Sequence, residues 1–224
     1  MPDRSQTVAS VVLEHSECAE VFQKNRIDFC CKGELSVEAA AQSRGLDVDG
    51  LLTDLSRAIE ARRGERASDP RELSTPSLVA HIVSKHHDYL RKTLPFVKAL
   101  AQKVGRVHGD HNPKLRELDA AVGELSASLL PHLDDEEQEL FPTLTAKDVD
   151  RAKAAKLLEA MQSEHLTVAK ELERIRAASE DFTLPDWACN SYRTLFAELS
   201  QLESDVFTHV HLENHVLRPR FERS

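Results

Sequence analysis

Apolar residues recur at steps of three and four along four long stretches of this chain, with polar and charged residues between them. This spacing is typical of helices that pack one apolar face into a bundle. Because the connections between the stretches are short, neighbouring helices should be antiparallel, and we expect an all-α fold with an up-down four-helix bundle. The predicted helices cover residues 75–104, 112–141, 147–178 and 185–217. The first apolar face is predicted to contain Val79, Val83, His87, Leu90, Leu94 and Val97.

A small helical domain is predicted ahead of the bundle, over residues 1–63. The polar segment 64–75 is predicted to be a linker, and residues 76–224 the bundle domain. About 60 residues bury little apolar area, so the first domain is expected to need a partner surface, and the chain to form a homodimer. The helical stretches of the first domain are predicted near 6–24, 36–43 and 47–62.

Composition and charge exclude several classes of function. The net charge of −9 and the lack of a basic run argue against a nucleic-acid partner. No apolar run approaches the length of about 18 residues that a membrane span needs. The polar N-terminus lacks the hydrophobic segment of a secretory signal. Four cysteines, two of them adjacent, do not make a disulfide framework, so we expect a cytoplasmic location.

Each predicted bundle helix carries a histidine on its apolar face. In two helices a glutamate follows four residues later, and this step keeps both side chains on one face. Burying a carboxylate among apolar residues is costly unless a positive partner offsets it. A metal cation held by imidazole and carboxylate ligands would be such a partner. The candidate ligands are His87, His132, Glu136, His165, His209 and Glu213.

The ligand types narrow the choice of metal. Imidazole and carboxylate suit iron, manganese or zinc, and the apolar faces offer no cysteine for a thiolate site. Six ligands are too many for one tetrahedral zinc ion but fit two ions, each with two histidines, bridged by both glutamates. The ferritin-like di-iron bundle uses Glu-x-x-His. Here histidine comes first and the step is four, so that fold is disfavoured.

The ligand pattern resembles the hemerythrin-like bundle. Over nearly its whole length the chain is similar to the iron–sulfur cluster repair di-iron proteins, the repair-of-iron-centres family. The resemblance rests on four kinds of segment. They are residues 26–33, which contain the double cysteine, His87-Asp88, Ser163-Glu164-His165, and the segments around the other candidate ligands. Oxygen-carrying hemerythrins have a further histidine one turn after His165, where this chain has Ala169.

The resemblance implies a hemerythrin-like bundle with a double-cysteine domain in front of it. It also implies two carboxylate-bridged, non-haem iron ions per chain on the same six ligands, with manganese as the alternative metal. The implied function is repair of iron–sulfur clusters damaged by oxidative or nitrosative stress. The site would supply the iron, and damaged iron–sulfur proteins would be the partners.

Two other functions stay open. One is reduction of nitric oxide or peroxide at the di-iron centre, and the other is sensing by reversible binding of oxygen or nitric oxide. The residues do not decide between an enzyme with turnover and stoichiometric iron transfer, and they assign no catalytic residue.

Several residues off the apolar faces have two interpretations. Cys30 and Cys31 are either small buried residues or a pair that handles iron or thiols, as the resemblance favours. Glu164 is either solvated or an acid close to the metals. Cys18 and Cys189 are predicted to be core residues. Five further histidines off the apolar faces are expected at the surface, namely His86, His108, His111, His211 and His215. Of these, His86 and His211 are candidate hydrogen-bond partners of the ligands.

Overall fold

The computed structural model describes residues 1–62 and 69–222, so part of the predicted linker, 64–68, lies outside the described residues. Within those ranges the chain is helical, and the extended pairing consists of one isolated bridge between Thr7 and Ser36. The chain divides into two compact units. Met1–Ser74 and Phe207–Arg223 form the first unit, and Thr75–Val206 belongs to the second.

Over its described residues, 1–62 and 69–74, the N-terminal part of the first unit contains four α-helices and a 3-10 helical turn over Pro70–Glu72. Side-chain oxygens of Thr7, Ser36 and Asp47 cap three of them by accepting hydrogen bonds from first-turn N–H groups. The single helical stretch predicted near 6–24 is wrong, because His15 leaves the helical conformation and α2 turns back against α1 and α4. The helices are α1 (Val8–Glu14), α2 (Cys18–Lys24), α3 (Val37–Ser43) and α4 (Val48–Ala61).

The second unit contains the helical bundle. Its helices are α5 (Thr75–Ile82), α6 (Asp88–His108), α7 (Lys114–Asp135), α8 (Phe141–Thr145), α9 (Arg151–Ala178) and α10 (Asn190–Leu212), whose last residues belong to the first unit. π-helical turns over Val83–His87 and Glu136–Leu140 join α5 to α6 and α7 to α8. A third, over Glu213–Leu217, follows α10 in the first unit, before α11 (Pro219–Glu222).

Side-chain pairs within the second unit fix the direction of its helices. For α6 with α7, α7 with α9 and α6 with α10, residues early in one helix contact residues late in the other, so these helices are antiparallel. The prediction of an all-α, up-down bundle is confirmed. The pairs are Arg91–Asp134, His87–Glu137, Arg174–Glu124, His132–Glu164, His86–Asp205 and Lys103–Ser191.

The predicted helix ends need correction at four places. The first long helix runs on to His108, and the third begins at Arg151, where Asp150 accepts a hydrogen bond from the N–H of Lys153. The fourth begins at Asn190, because residues 185–188 form a turn. The second passes Pro142, which lies in the first turn of α8, where a missing N–H is tolerated.

The predicted apolar face of the first helix is wrong at its first two positions. Val79 and Val83 are only partly buried, whereas Leu78 and Ile82 are fully buried. A π-helical turn holds one residue more than an α-helical turn. The turn that ends at His87 therefore moves the inward positions before it one residue earlier. The apolar faces of the second, third and fourth helices are buried as predicted.

Gly33 lies where the loop between α2 and α3 comes closest to its neighbours. A Cβ atom there would lie 2.5 Å from the carbonyl oxygen of Phe29 and 2.6 Å from Cβ of Ala9. It would also lie 2.8 Å from Nε2 of His215. The carbonyl of Gly33 accepts a hydrogen bond from the N–H of Ala9 at 2.9 Å, which ties the loop to α1.

Gly33→Ala should lower the free energy of unfolding by about 1–3 kcal/mol, because the added methyl group has no space. Gly123→Ala is the matched control. It lies in α7 with nothing within 4 Å of the added Cβ, and alanine favours the helix by up to about 1 kcal/mol. Urea unfolding of both variants measures the difference. Equal stabilities would contradict the close approach at Gly33.

Candidate metal centre

Four of the predicted ligands lie together in the second unit, around the buried carboxylate of Glu136. One carboxylate oxygen, Oε2, lies 3.5 Å from Nε2 of His87. The other, Oε1, lies 3.4 Å from Nε2 of His132 and 3.9 Å from Nε2 of His165. All four side chains are buried. Three imidazole nitrogens from three helical segments therefore face one carboxylate, one of them near Oε2 and the other two near Oε1.

π-helical turns accompany three of the six predicted ligands. The turn over Val83–His87 ends at His87, and the turn over Glu136–Leu140 begins at Glu136. In the first unit, the turn over Glu213–Leu217 begins at Glu213. Single π-helical turns inside α-helices are frequently found at functional sites, because the extra residue changes which side chains face inward. His165 lies in the uninterrupted helix α9.

Two carboxylates fix the orientation of two of these histidines. Nδ1 of His132 lies 2.6 Å from Oε2 of Glu164, and Nδ1 of His87 lies 2.9 Å from Oε1 of Glu137. A carboxylate only accepts hydrogen bonds, so each Nδ1 is the donor, and in a neutral imidazole this leaves the lone pair on Nε2, the atom that faces Glu136. Carboxylates that hold metal-binding histidines in this way set the tautomer and raise ligand basicity.

Glu137 is itself held in place by Arg91. Burial alone would raise the pKa of Glu137, but hydrogen bonds from His87 and Arg91 outweigh it and lower that pKa. The guanidinium of Arg91 lies 2.9 Å from Glu137 and 2.7 Å from Asp134. Glu137 is therefore a carboxylate at neutral pH and accepts the hydrogen bond from His87.

The first unit contains the other two predicted ligands, His209 and Glu213. Nε2 of His209 lies 3.0 Å from Oε1 of Glu213, and both side chains are fully buried. They sit one helical turn apart, at the end of α10 and the start of the π-helical turn. This pair repeats the relation between His132 and Glu136 in the second unit.

The donor set around Glu136 fits a transition-metal cation. Imidazole nitrogens and a carboxylate suit iron, manganese and zinc, and the outer nitrogens of His87 and His132 already donate to carboxylates. Within the second unit, ligand atoms of His132, Glu136 and His165 lie within 4.8 Å of one another, close enough for one ion to contact all three. Without a cation, a carboxylate this deeply buried would be costly.

A cleft of about 220 Å³ leads from the surface of the second unit to Glu136. Four acidic and four apolar side chains line it. The acidic side chains favour the approach of cations. The lining residues are Asp135, Glu136, Glu139, Leu140, Leu157, Ala160, Met161 and Glu164.

The double cysteine lies in the first unit, close to Asp28. One ligand atom each of Asp28, Cys30 and Cys31 lies within 4.8 Å of the other two. Cys30 is buried and Cys31 is partly exposed, and neither forms a disulfide. Burial raises the pKa of the Cys30 thiol well above its ordinary value, with further contributions from Cys31 and Asp28.

Several residues that were expected at the surface are buried, and one expected in the core is exposed. His86 is buried beside Asp205, with 3.1 Å between Nδ1 and Oδ2. His211 is also buried, which lowers its pKa to about 3. His215 is largely buried, whereas Cys189 is exposed and lies 3.2 Å from Nε2 of His108. Cys18 is buried as predicted.

Sequence reasoning missed two residues of the two sites, namely Glu137 and Asp28. Glu137 stands in the acidic run 134–137, which resembles a solvated helix face. Its position directly after Glu136 was the available signal, since the π-helical turn brings it towards α6. Glu164 had two interpretations, a solvated residue or an acid close to the metals. In the structure its carboxylate accepts a hydrogen bond from Nδ1 of His132.

Comparison with known proteins places the chain in a family. Residues 78–221 match the hemerythrin HHE cation binding domain, and residues 4–59 match a domain of unknown function, DUF542. The iron–sulfur cluster repair protein YtfE of Yersinia pseudotuberculosis serotype IB (strain PB1/+) is 31% identical over 98% of both chains. The protein of the same name from Yersinia pestis (strain Pestoides F) is 30% identical over the same share.

This chain belongs to the YtfE family. The match extends over both compact units, and the hemerythrin HHE match contains all six predicted ligands. The hemerythrin-like bundle and the preceding helical double-cysteine region that the resemblance implied are therefore confirmed. Among the described residues of this family member, no helix is long and apolar enough to cross a membrane.

Glu164→Ala should weaken metal binding about 10–100-fold, because His132 loses the carboxylate that fixes its tautomer. Glu159→Ala is the control, since Glu159 is exposed on the same helix, α9. Competition with a chelator of known affinity measures both variants against the unaltered chain. If the Glu164 and Glu159 variants bind metal equally well, Glu164 is a solvated residue.

Proposed function

We propose that this protein repairs damaged iron–sulfur clusters by supplying iron from a carboxylate-bridged pair of iron ions in its bundle. The observation that supports the metal centre most strongly is that three imidazole nitrogens converge on the buried carboxylate of Glu136. The relatives are named iron–sulfur cluster repair proteins, which supports the choice of reaction. The bundle matches a cation-binding domain, which supports the metal.

The proposed centre holds two ions on His87, His132, Glu136, His165, His209 and Glu213, with iron as the metal and manganese as the alternative. The two oxygens of Glu136 face different histidines, Oε2 towards His87 and Oε1 towards His132. A bridging carboxylate has this arrangement, because each oxygen serves one ion. Glu213, which follows His209 at the same step of four, is proposed as the second bridge.

The residues around the centre favour storage and release of a cation. Bound iron would supply an exchangeable cation and a one-electron redox couple. Glu137 and Glu164 hold two of the histidines by their Nδ1 atoms, and the acidic side chains that line the cleft, among them Glu139 and Asp135, favour a path for a cation. The partly exposed Glu164 lines this cleft, and its carboxylate also accepts a hydrogen bond from His132. It therefore connects the path of the cation with a proposed ligand.

Reduction of nitric oxide or peroxide is the alternative function, and one observation favours it. Four of the side chains that line the cleft are apolar, which suits the entry of small uncharged molecules: Leu140, Leu157, Ala160 and Met161. Continuous consumption of nitric oxide or peroxide with an electron donor, without loss of iron from the protein, would support this alternative. Loss of iron in proportion to repaired clusters would support iron supply.

Replacing a bridging glutamate should abolish paired metal binding and leave the helices intact. In Glu136→Leu or Glu213→Leu, leucine fills a buried apolar position without the cost of a buried carboxylate. The free energy of unfolding of the metal-free protein should therefore not fall. Glu139→Leu is the control, because Glu139 is exposed in the same π-helical turn. Metal content and circular dichroism give both readouts, and full metal content in both glutamate variants would refute the ligand assignment.

Transfer of labelled iron tests the proposed function directly. The full-length protein is loaded with ⁵⁷Fe and mixed, without air, with a small ferredoxin whose cluster has been damaged by nitric oxide. Mössbauer spectra should then show ⁵⁷Fe in the restored cluster, and the Glu136→Leu protein should transfer none. Restoration by the metal-free protein at the same rate would contradict iron supply.

Three further predictions accompany this proposal. Damaged iron–sulfur proteins are the proposed partners, a homodimer is the proposed assembly, and the cytoplasm is the proposed location. Sedimentation equilibrium of the metal-loaded chain tests the assembly, with a dimer as the expected species and a monomer at all concentrations as the contrary result.

A further inference from the structure

The loop between α2 and α3 places two thiols and a carboxylate side by side. Sγ of Cys30 lies 3.1 Å from Oδ1 of Asp28 and 3.6 Å from Sγ of Cys31. Two sulfurs bound to one tetrahedral ion, at metal–sulfur distances of about 2.3 Å, are about 3.8 Å apart. The two thiols therefore already stand close to the separation that a shared metal ion requires.

Adjacent cysteines are poorly suited to a disulfide with each other. Neighbouring side chains diverge along the chain, and a bridge between them departs from the favoured geometry. Neither Cys30 nor Cys31 forms a disulfide in the part of the chain that the structure describes. The reduced pair offers soft sulfur ligands, which favour ions such as Zn²⁺ and iron.

The backbone of the loop is fixed in position by three side chains of the first unit. The carbonyl of Cys30 accepts hydrogen bonds from Nδ2 of Asn214 at 3.0 Å and from Nε2 of His215 at 2.8 Å. The carbonyl of Phe29 accepts one from Nδ1 of His211 at 3.2 Å. Because the loop is already ordered, a cation bound there would not have to order it.

The site is open on one side. Cys30 is buried, but Cys31 and Asp28 are partly exposed, so an ion held by all three would keep a coordination position for water or a transfer partner. Metal sites with three protein ligands and an open fourth position exchange ligands there, whereas closed four-ligand sites are structural. An open site suits a cation in transit.

The hydrogen bonds also connect the loop to a proposed ligand pair. His211 lies between His209 and Glu213 in sequence, and Asn214 and His215 follow Glu213 directly in the same π-helical turn. The double-cysteine loop is thus attached to the short helical segment that carries both ligands of the first unit.

We propose that Asp28, Cys30 and Cys31 form a second metal site, which binds one thiophilic divalent cation and carries iron in transit to or from the bundle centre. The three donor side chains support the metal site by themselves. Only the assignment of Fe²⁺ as the ion that it carries rests on the proposed function. Binding forms two metal–thiolate bonds and releases the two thiol protons to solvent. No electron is transferred.

Co²⁺ serves as the probe, because its thiolate complexes have a charge-transfer band in the near ultraviolet that nitrogen and oxygen ligands do not produce. The full-length protein, with its bundle centre loaded first, is titrated with Co²⁺ under argon. We expect the thiolate band to saturate at one added ion per chain. Excess Fe²⁺ added afterwards should remove the band, because it competes for the same ligands and binds them less tightly than Co²⁺ at equal concentration.

Matched variants separate ligands from structural residues. Cys30→Ser and Cys31→Ser should each lose the thiolate band at stoichiometric Co²⁺. Asp28→Asn should weaken Co²⁺ binding while keeping the loop, because its amide oxygen still accepts the N–H groups of Cys30 and Cys31 that Asp28 binds now. Cys189→Ser, which removes an exposed thiol elsewhere, should leave the band unchanged. Circular dichroism of each variant confirms that it is folded.

Two outcomes overturn this proposal. Absence of a thiolate band in the folded, unaltered chain, or a band that survives in both folded cysteine variants, shows that the loop is not a metal site. A band that Zn²⁺ removes but excess Fe²⁺ does not shows that the loop does not carry iron. The absorption of the loaded bundle centre is recorded in the same samples, so failure of the loop site and failure of the bundle site are distinguished.

Discussion

A carboxylate buried inside a helical bundle is the constraint on which the rest of this structure depends. Glu136 is only 2% exposed and is surrounded by imidazoles from three helices. Such a charge is tolerated only where partners offset its lost hydration. The antiparallel helices, the π-helical turns and the outer carboxylates all serve to bring those partners to it.

The outer carboxylates extend this arrangement from the interior to the surface. Glu137 and Glu164 each hold a histidine by its Nδ1 atom, and Arg91 in turn holds Glu137. The ligand orientation is therefore set by groups that are partly exposed. Changes at the surface, such as binding of a partner near Glu164, can reach the ligands through a single hydrogen bond.

The helical class and the six predicted ligands could be derived from periodicity, because a buried face leaves a repeating pattern in the sequence. The second, third and fourth faces are buried as that pattern predicted. The π-helical turns could not be derived, because one extra residue leaves no compositional mark. This is why Val79 and Val83 were assigned to the wrong face and Pro142 to a helix end.

The roles of His211 and His215 depend on contacts between distant parts of the chain. Their partners are carbonyl groups of Phe29 and Cys30, 182 and 185 residues earlier in the sequence. Backbone carbonyls carry no residue-specific signal, so no pattern around these histidines indicates the contact. Asp28, by contrast, is only two residues before Cys30, and its position beside both thiols follows from the local turn of the loop, in which its carboxylate accepts the N–H groups of Cys30 and Cys31.

Metal analysis of the protein purified without air tests the central claim most directly. Elemental analysis gives the number and kind of metal ions per chain, and Mössbauer spectroscopy shows whether iron ions are coupled to each other. The account predicts about two irons per chain, present as one exchange-coupled, carboxylate-bridged pair with histidine ligands. A single zinc ion per chain, or isolated iron ions without exchange coupling, would contradict it.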